Sequence, residues 1–280
     1  MMENKKKDGM FAGILLRLVC CILLVFTLFG TLGAGAGSLL LGAGDHFLVK
    51  QLVRSDVPEK VHDSLQGKFE AAYHTTAVPA DVYMDVLTVE WLSDAMTQMV
   101  QAEFAGDSGT EIDYTPLADS VTAYFAAYAE ENQVAQDTVY TEKLAEVIGS
   151  AEKTVGDTLD VYHIQTMKKA GIWQKAFRLE KPLLAVCMIC GILSVLLVIF
   201  LRSWYWIGVS LFADGLLLTG TAGGILGSGI IRRFTLKEPG VYAAFTGVMG
   251  QLTTNVLWTG LILLGIGTIL WLGSTLKRKK

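Results

Sequence analysis

Two blocks of this chain are apolar over lengths that no ordinary soluble core element needs. Residues 10–44 and 183–276 carry the excess hydrophobic content, while residues 45–181 read as a soluble domain. A helix needs roughly 20 mostly apolar residues to cross ~30 Å of hydrocarbon. Four stretches meet that requirement: Met10–Gly30, Leu183–Leu201, Trp204–Ile225 and Leu252–Leu272. The 280 residues are 52% hydrophobic and 18% charged, against about 25% charged in an average soluble domain. The pattern predicts an all-α protein, a four-helix transmembrane bundle with an α-helical extracytoplasmic domain inserted between the first and second spans. Residues 1–44 would hold a cytoplasmic N-terminus and span one, 45–181 the external domain, and 182–280 spans two to four and a basic cytoplasmic C-terminus.

Orientation follows from basic residues beside the spans. Lys5, Lys6 and Lys7 precede span one, and Lys277, Arg278, Lys279 and Lys280 follow span four. Both ends are therefore expected in the cytoplasm, which an even number of spans requires. Arg202 lies in the short turn between spans two and three, also inside. Arg232, Arg233 and Lys237 weigh the other way, since they fall in the outer loop before span four. Trp204, Tyr205 and Trp206 sit at the inner turn, where aromatic rings favour the membrane–water interface. They suggest that spans two and three form a tight antiparallel hairpin. A rival reading of span one is a signal peptide cleaved after Ala34-Gly35-Ala36, although its apolar core is longer than such peptides carry.

The external segment holds 23 acidic and 11 basic residues, a net of −12, and Glu70 to Glu142 contains no Lys or Arg. Such acidity argues against nucleic-acid binding. Apolar residues recur at helical spacing in four stripes. These are Val61, Leu65, Phe69 and Ala72; then Met84, Leu87, Trp91, Leu92, Met96, Met99 and Val100. The third is Leu117, Val121, Tyr124, Phe125 and Tyr128, and the fourth runs from Leu144 through Val147, Ile148, Ala151, Val155 and Leu159 to Tyr162. Asp56 before Pro58, and Pro79 with Asp81, mark helix starts. The phrases VPADVYMDVLTVEWLSDAMTQ (Val78 to Gln98) and EIDYTPLADSVTAY (Glu111 to Tyr124) resemble a pattern in uncharacterised bacterial membrane proteins. Those have one span, a helical external domain and further spans. The resemblance covers about a quarter of the chain, and it implies this topology and a bacterial plasma membrane, but no activity. The missing N-x-S/T sequon and the absence of cysteine from residues 45–181 point the same way.

Asp214 is the leading site candidate. It lies mid-span in LFADGLLL, where an ionisable group costs at least ~2.5 kcal/mol and should find a partner. Arg17, at a comparable depth in span one, is the expected partner in an intramembrane charge pair. Gly33 with Gly37 and Gly220 with Gly224 match GxxxG, a pattern that lets helix backbones approach. Asn255, with Thr253, Thr254 and Thr259, can add hydrogen bonds between helices. The CMIC spacing of Cys187 and Cys190 is compatible with redox or metal chemistry, but inside an apolar run it reads as packing. The loop Asp107 to Asp113 is rich in oxygen ligands without the EF-hand spacing. The four histidines have no zinc-site spacing. No catalytic, cofactor or metal constellation stands out, so the chain is read as a non-enzyme. A non-catalytic sensor or accessory subunit with a protein partner, or a homo-oligomer, fits best. A small transporter using Asp214 and an ABC-permease-like subunit are the alternatives.

Overall fold

The computed structural model describes residues 2–42, 44–105, 112–171, 175–176 and 178–278. Among them every regular element is a helix. The order is α1 (Met2–Gly42), α2 (Gly44–Arg54), α3 (Val57–Thr76), α4 (Ala80–Met84), α5 (Val89–Ala105), α6 (Thr115–Glu131), α7 (Thr138–Leu159) and α8 (Ile164–Lys169). Then come α9 (Glu180–Leu201), α10 (Trp204–Ser228), a 3₁₀ turn (Ile230–Arg233) and α11 (Pro239–Arg278). Among the described residues four segments are long and apolar enough to cross a membrane: Gly13–Gly42, Glu180–Leu201, Trp204–Arg233 and Pro239–Lys277.

The chain divides into two compact units. One comprises α1, α9, α10 and α11 from Met249 onward; the other comprises Ala43–Trp173 and Phe234–Val248. In the second unit the helical stripes close one core. Val57, Val61, Leu65 and Phe69 line one face of α3 and are buried with Leu92, Met96 and Val100 of α5, Leu117 and Val121 of α6, and Ala151, Val155 and Leu159 of α7. Pro58 opens α3, and Ala77 ends it at φ 56 with its N–H bonded to the Tyr73 carbonyl, the αL cap that satisfies an orphan carbonyl. The second stripe, read as one helix, is two. Thr88 Oγ1 accepts the Trp91 N–H at 3.2 Å, which restarts the chain as α5. Asp137 caps α7 in the same way, accepting from the Tyr140 amide at 3.0 Å.

The same core takes in the start of α11. Ala243 and Ala244, in the first turns of α11, are 3% and 0% exposed and belong to this cluster. Gly240 faces Val61, and Gly247 faces Ser55. Glu238 receives Lys68 Nζ at 3.0 and 3.1 Å, and Lys68 also donates to Thr158 Oγ1 at 3.0 Å. Hydropathy placed residues 239–248 ahead of span four and gave them no role in the soluble core; the structure makes them part of it.

In the other unit α9 runs antiparallel along α1. The register is read from neighbouring pairs: Gly42 with Glu180, Gly37 with Leu183, Gly35 with Cys187, Gly30 with Cys190, and Thr27 with Ser194. The sulfurs of Cys190 and Cys187 sit over Gly30 and Gly35, 3.1 and 3.2 Å from where a Cβ would stand. The CxxC spacing thus delivers two knobs to two glycine hollows five residues apart on α1. Ala34-Gly35-Ala36 lies within α1, against α9. The expected hairpin of spans two and three is modified, because α9 packs chiefly on α1 and meets α10 only slightly.

Candidate functional site

Asp214 lies at the middle of the buried residues of α10. Ile207, Gly208, Ser210, Asp214, Gly215, Leu218 and Ala222 are all buried on this helix. Asp214 is 0% exposed, and among the described residues neither carboxylate oxygen has a hydrogen-bond partner. Nearby Thr219 Oγ1 is also buried without a partner.

On another face of α10 a glycine seam joins it to α11. A Cβ on Gly208 would lie 2.6 Å from the Trp271 amide nitrogen and 3.0 Å from the Gly267 carbonyl oxygen. One on Gly215 would lie 2.7 Å from the Gly260 oxygen and 2.7 Å from Leu264 Cα. From the other side, Gly260 meets Thr219 and Leu218, and Gly267 meets Phe212 and Gly208. Ascending 208 to 215 pairs with descending 267 to 260, so the helices are antiparallel. Each pair of glycines is separated by seven residues, two helical turns, which keeps them on one stripe. Without Cβ atoms the backbones come into direct contact, the arrangement that small residues permit in apolar bundles. Asp214, four residues on from Ser210, shares the face that Ser210 turns to α1.

The expected Arg17–Asp214 pair is not formed. Arg17 is exposed, and Asp214 accepts no bond. Helix register gives the reason. Ser210 Oγ donates to the Cys21 carbonyl at 3.5 Å, which places these two residues side by side. α9 is antiparallel to α1, and the two-residue turn at Arg202-Ser203 sends α10 back parallel to α1. Arg17 is then four residues below that level and Asp214 four above it, about 12 Å apart along the axis at 1.5 Å per residue. Counting from helix ends overlooked this offset.

The GxxxG assignments are corrected too. Gly33, Gly220 and Gly224 have nothing within 4 Å of a Cβ position, and of the four only Gly37 meets a neighbour, Leu183 at 3.3 Å. Asn255 is exposed and accepts from Gln251 of its own helix at 2.9 Å. Thr253, Thr254 and Thr259 each donate to the carbonyl four residues earlier, which satisfies the hydroxyl locally and leaves it no call on another helix. Residues that do bridge helices include Ser194 and Thr27, whose hydroxyls are 2.9 Å apart, Ser210 and Cys21, Cys187, whose thiol donates to the Thr31 carbonyl at 3.5 Å, and Cys21, whose thiol donates to the Trp206 carbonyl at 3.6 Å. The seven-residue glycine spacing in spans three and four was the signal that could have identified the seam.

Elsewhere, Asp107 to Glu111 lie outside the described residues. Asp113 accepts the Thr115 N–H at 3.0 Å, and bonding to the Thr115 hydroxyl first and its N–H second holds its carboxyl below the usual range; it serves as a helix-start residue. Tyr162 donates to the Leu48 carbonyl at 3.0 Å. Burial pushes its hydroxyl pKa up, as it does for Tyr83. Tyr114 is pushed up to about 12, by burial first and then by Glu152 and Asp157. Among the described residues no three His, Cys, Asp or Glu side chains are placed to hold a metal ion.

Comparison with known proteins returned no family model, no curated protein and no solved structure that matches this chain.

Proposed function

We propose that this is a multi-pass membrane protein, a non-catalytic sensor or accessory subunit. Its acidic helical unit would face outside a bacterial plasma membrane, with both termini in the cytoplasm. The observation that carries the reading is the composition of α11. Its first turns supply Gly240, Ala243 and Ala244 to the core of the acidic unit, while Gly260 and Gly267 supply the seam against α10. A helix whose residues belong to two cores gives an event in one core a covalent route to the other. That is what a receptor or regulatory subunit needs and what a simple anchor does not. The net charge of −12 over residues 45–181 favours a basic partner surface.

The test is purification of the intact protein in mild detergent with mass spectrometry of bound proteins, run beside Glu130→Lys with Glu131→Lys. Both glutamates are exposed at the end of α6. A stoichiometric partner held by the wild type and lost from the variant supports the reading. A homo-oligomer without any partner refutes it.

One observation favours a second reading. An enclosed carboxyl without a partner can bind and release a proton, and intramembrane carboxyls serve proton relays. Infrared spectroscopy of the reconstituted protein would show a protonated carboxyl band that is lost in Asp214→Asn and titrates with pH. A band that never titrates leaves Asp214 a structural residue and removes the transport reading.

A further inference from the structure

The end of the bundle where α9 turns into α10 carries a cleft of 520 Å³ lined by Arg202, Ser203, Tyr205, Leu270, Ser274 and Lys277. We infer that this cleft binds the phosphate headgroup of an anionic phospholipid. Four observations converge on it.

The cleft brings together two cations from distant parts of the sequence. Among the described residues neither Arg202 nor Lys277 is ion-paired. Two uncompensated cations in one concavity call for an anion. Ser203 lines the same space and its hydroxyl suits a phosphate oxygen, while the Ser274 hydroxyl donates to the Trp271 carbonyl at 2.8 Å.

The second observation is the backbone of Arg202. It occupies the left-handed region at φ 43 and caps α9 there. Glycine is the residue that fits this position without strain. An arginine held there has its side chain placed at the mouth of the cleft in spite of that strain.

The third is the wall chemistry. Ile269, 71% exposed, and Leu270 supply an apolar side leading away from the charged end. Trp204, 68% exposed, and Tyr205 flank it, as aromatic side chains do at headgroup level. Charged at one end and apolar along the side is the profile of a lipid, not of a free anion.

The fourth is position. Helices α9 and α10 and the candidate span ending at Lys277 all terminate here. Basic residues at helix ends on the cytoplasmic side attract anionic lipid. The proposal rests on the membrane reading above and is independent of any protein partner.

The probe is phosphatidylglycerol. Intact protein is placed in phosphatidylcholine nanodiscs with and without phosphatidylglycerol, and retained lipid is read by native mass spectrometry after release. The wild type should keep one phosphatidylglycerol in preference to phosphatidylcholine. Each cation near a headgroup is worth about fivefold, so Arg202→Gln with Lys277→Gln should weaken retention roughly thirtyfold. Arg202→Lys with Lys277→Arg should keep most of it. Quenching by brominated phosphatidylglycerol, compared between the wild type and Trp204→Phe, reads the same contact without disturbing the cations. Trp204 should be quenched more by that lipid than by brominated phosphatidylcholine. Equal retention of the two lipids, or unchanged retention in the double glutamine variant, overturns the proposal. Displacement by millimolar inorganic phosphate would make it a site for a soluble anion and also overturn it. Failure of the wild type to enter the nanodisc would refute the membrane reading instead.

Discussion

Replacing Gly215 by alanine is the most direct test of the seam. The added Cβ would lie 2.7 Å from the Gly260 oxygen and Leu264 Cα, and nearer still to the Leu264 amide nitrogen. Ordinary contact begins at 3.4 Å, so the helices must part by about 0.7 Å or more. All three obstructing atoms are backbone, so no side chain can swing aside. A radial gap of that size forfeits about a quarter to a half of the dispersion attraction along the contact. Overpacking of this kind costs about 2–3 kcal/mol. Alanine returns about 1 kcal/mol of helix propensity, leaving a net loss of about 1–2 kcal/mol. Gly220→Ala, five residues along the same helix, is the matched control. Nothing lies within 4 Å of its Cβ position, so it gains the propensity alone and should be neutral or up to about 1 kcal/mol more stable. Both variants would be purified in mild detergent and unfolded by titration with sodium dodecyl sulfate, followed by circular dichroism. Opposite shifts are expected. Equal shifts, or a stable Gly215→Ala beside a destabilised Gly220→Ala, would refute the seam.

Other consequences are equally concrete. Gly215→Ala and Gly267→Ala combined should cost less than the sum of the singles, because the first already parts the helices; strict additivity in the same titration would count against a shared contact. Asp214→Asn should be at least as stable as wild type and Arg17→Gln indistinguishable from it, since no pair links them; a coupling energy between these positions in a double-mutant cycle would restore the pair. In the acidic unit, Gly240→Ala places a Cβ 2.6 Å from Val61 Cγ2, and valine has little rotamer freedom to yield; a loss of about 1–2 kcal/mol is expected in thermal unfolding. The Lys68–Glu238 ion pair is about a third exposed on one side and more on the other, so a double-mutant cycle should give under about 1 kcal/mol. Tyr114 has a folded pKa of about 12 against an ordinary value of 10.0. Between those values the unfolded chain has lost a proton that the folded one keeps, so stability falls as pH rises from about 10 to 12. Tyr162 and Tyr83 shift in the same direction. A spectrophotometric titration should show these phenols ionising late, together with loss of helix; ionisation at ordinary pH without unfolding would contradict their burial.

The amino-acid sequence determined by itself that four apolar stretches are long enough to cross a membrane, and that the acidic segment is helical. Val61, Leu65 and Phe69, or Ala151, Val155 and Leu159, are buried where their period says. Hydropathy and periodicity are properties of one helix, so one helix suffices to reveal them. The tertiary structure alone decided which neighbour each helix meets and at what rotation and height. Gly33 and Gly220 match a packing motif and face open space, while Gly215 and Gly260 match none and touch backbone. Arg17 and Asp214 have opposite charges at similar distances from their helix ends, but the Ser210–Cys21 contact sets them apart. The first turns of α11 read as the approach to a span, yet Ala243 and Ala244 are buried in the acidic unit's core. Partner choice depends on the relative placement of two surfaces, and a period measured along one strand of sequence carries no record of the second.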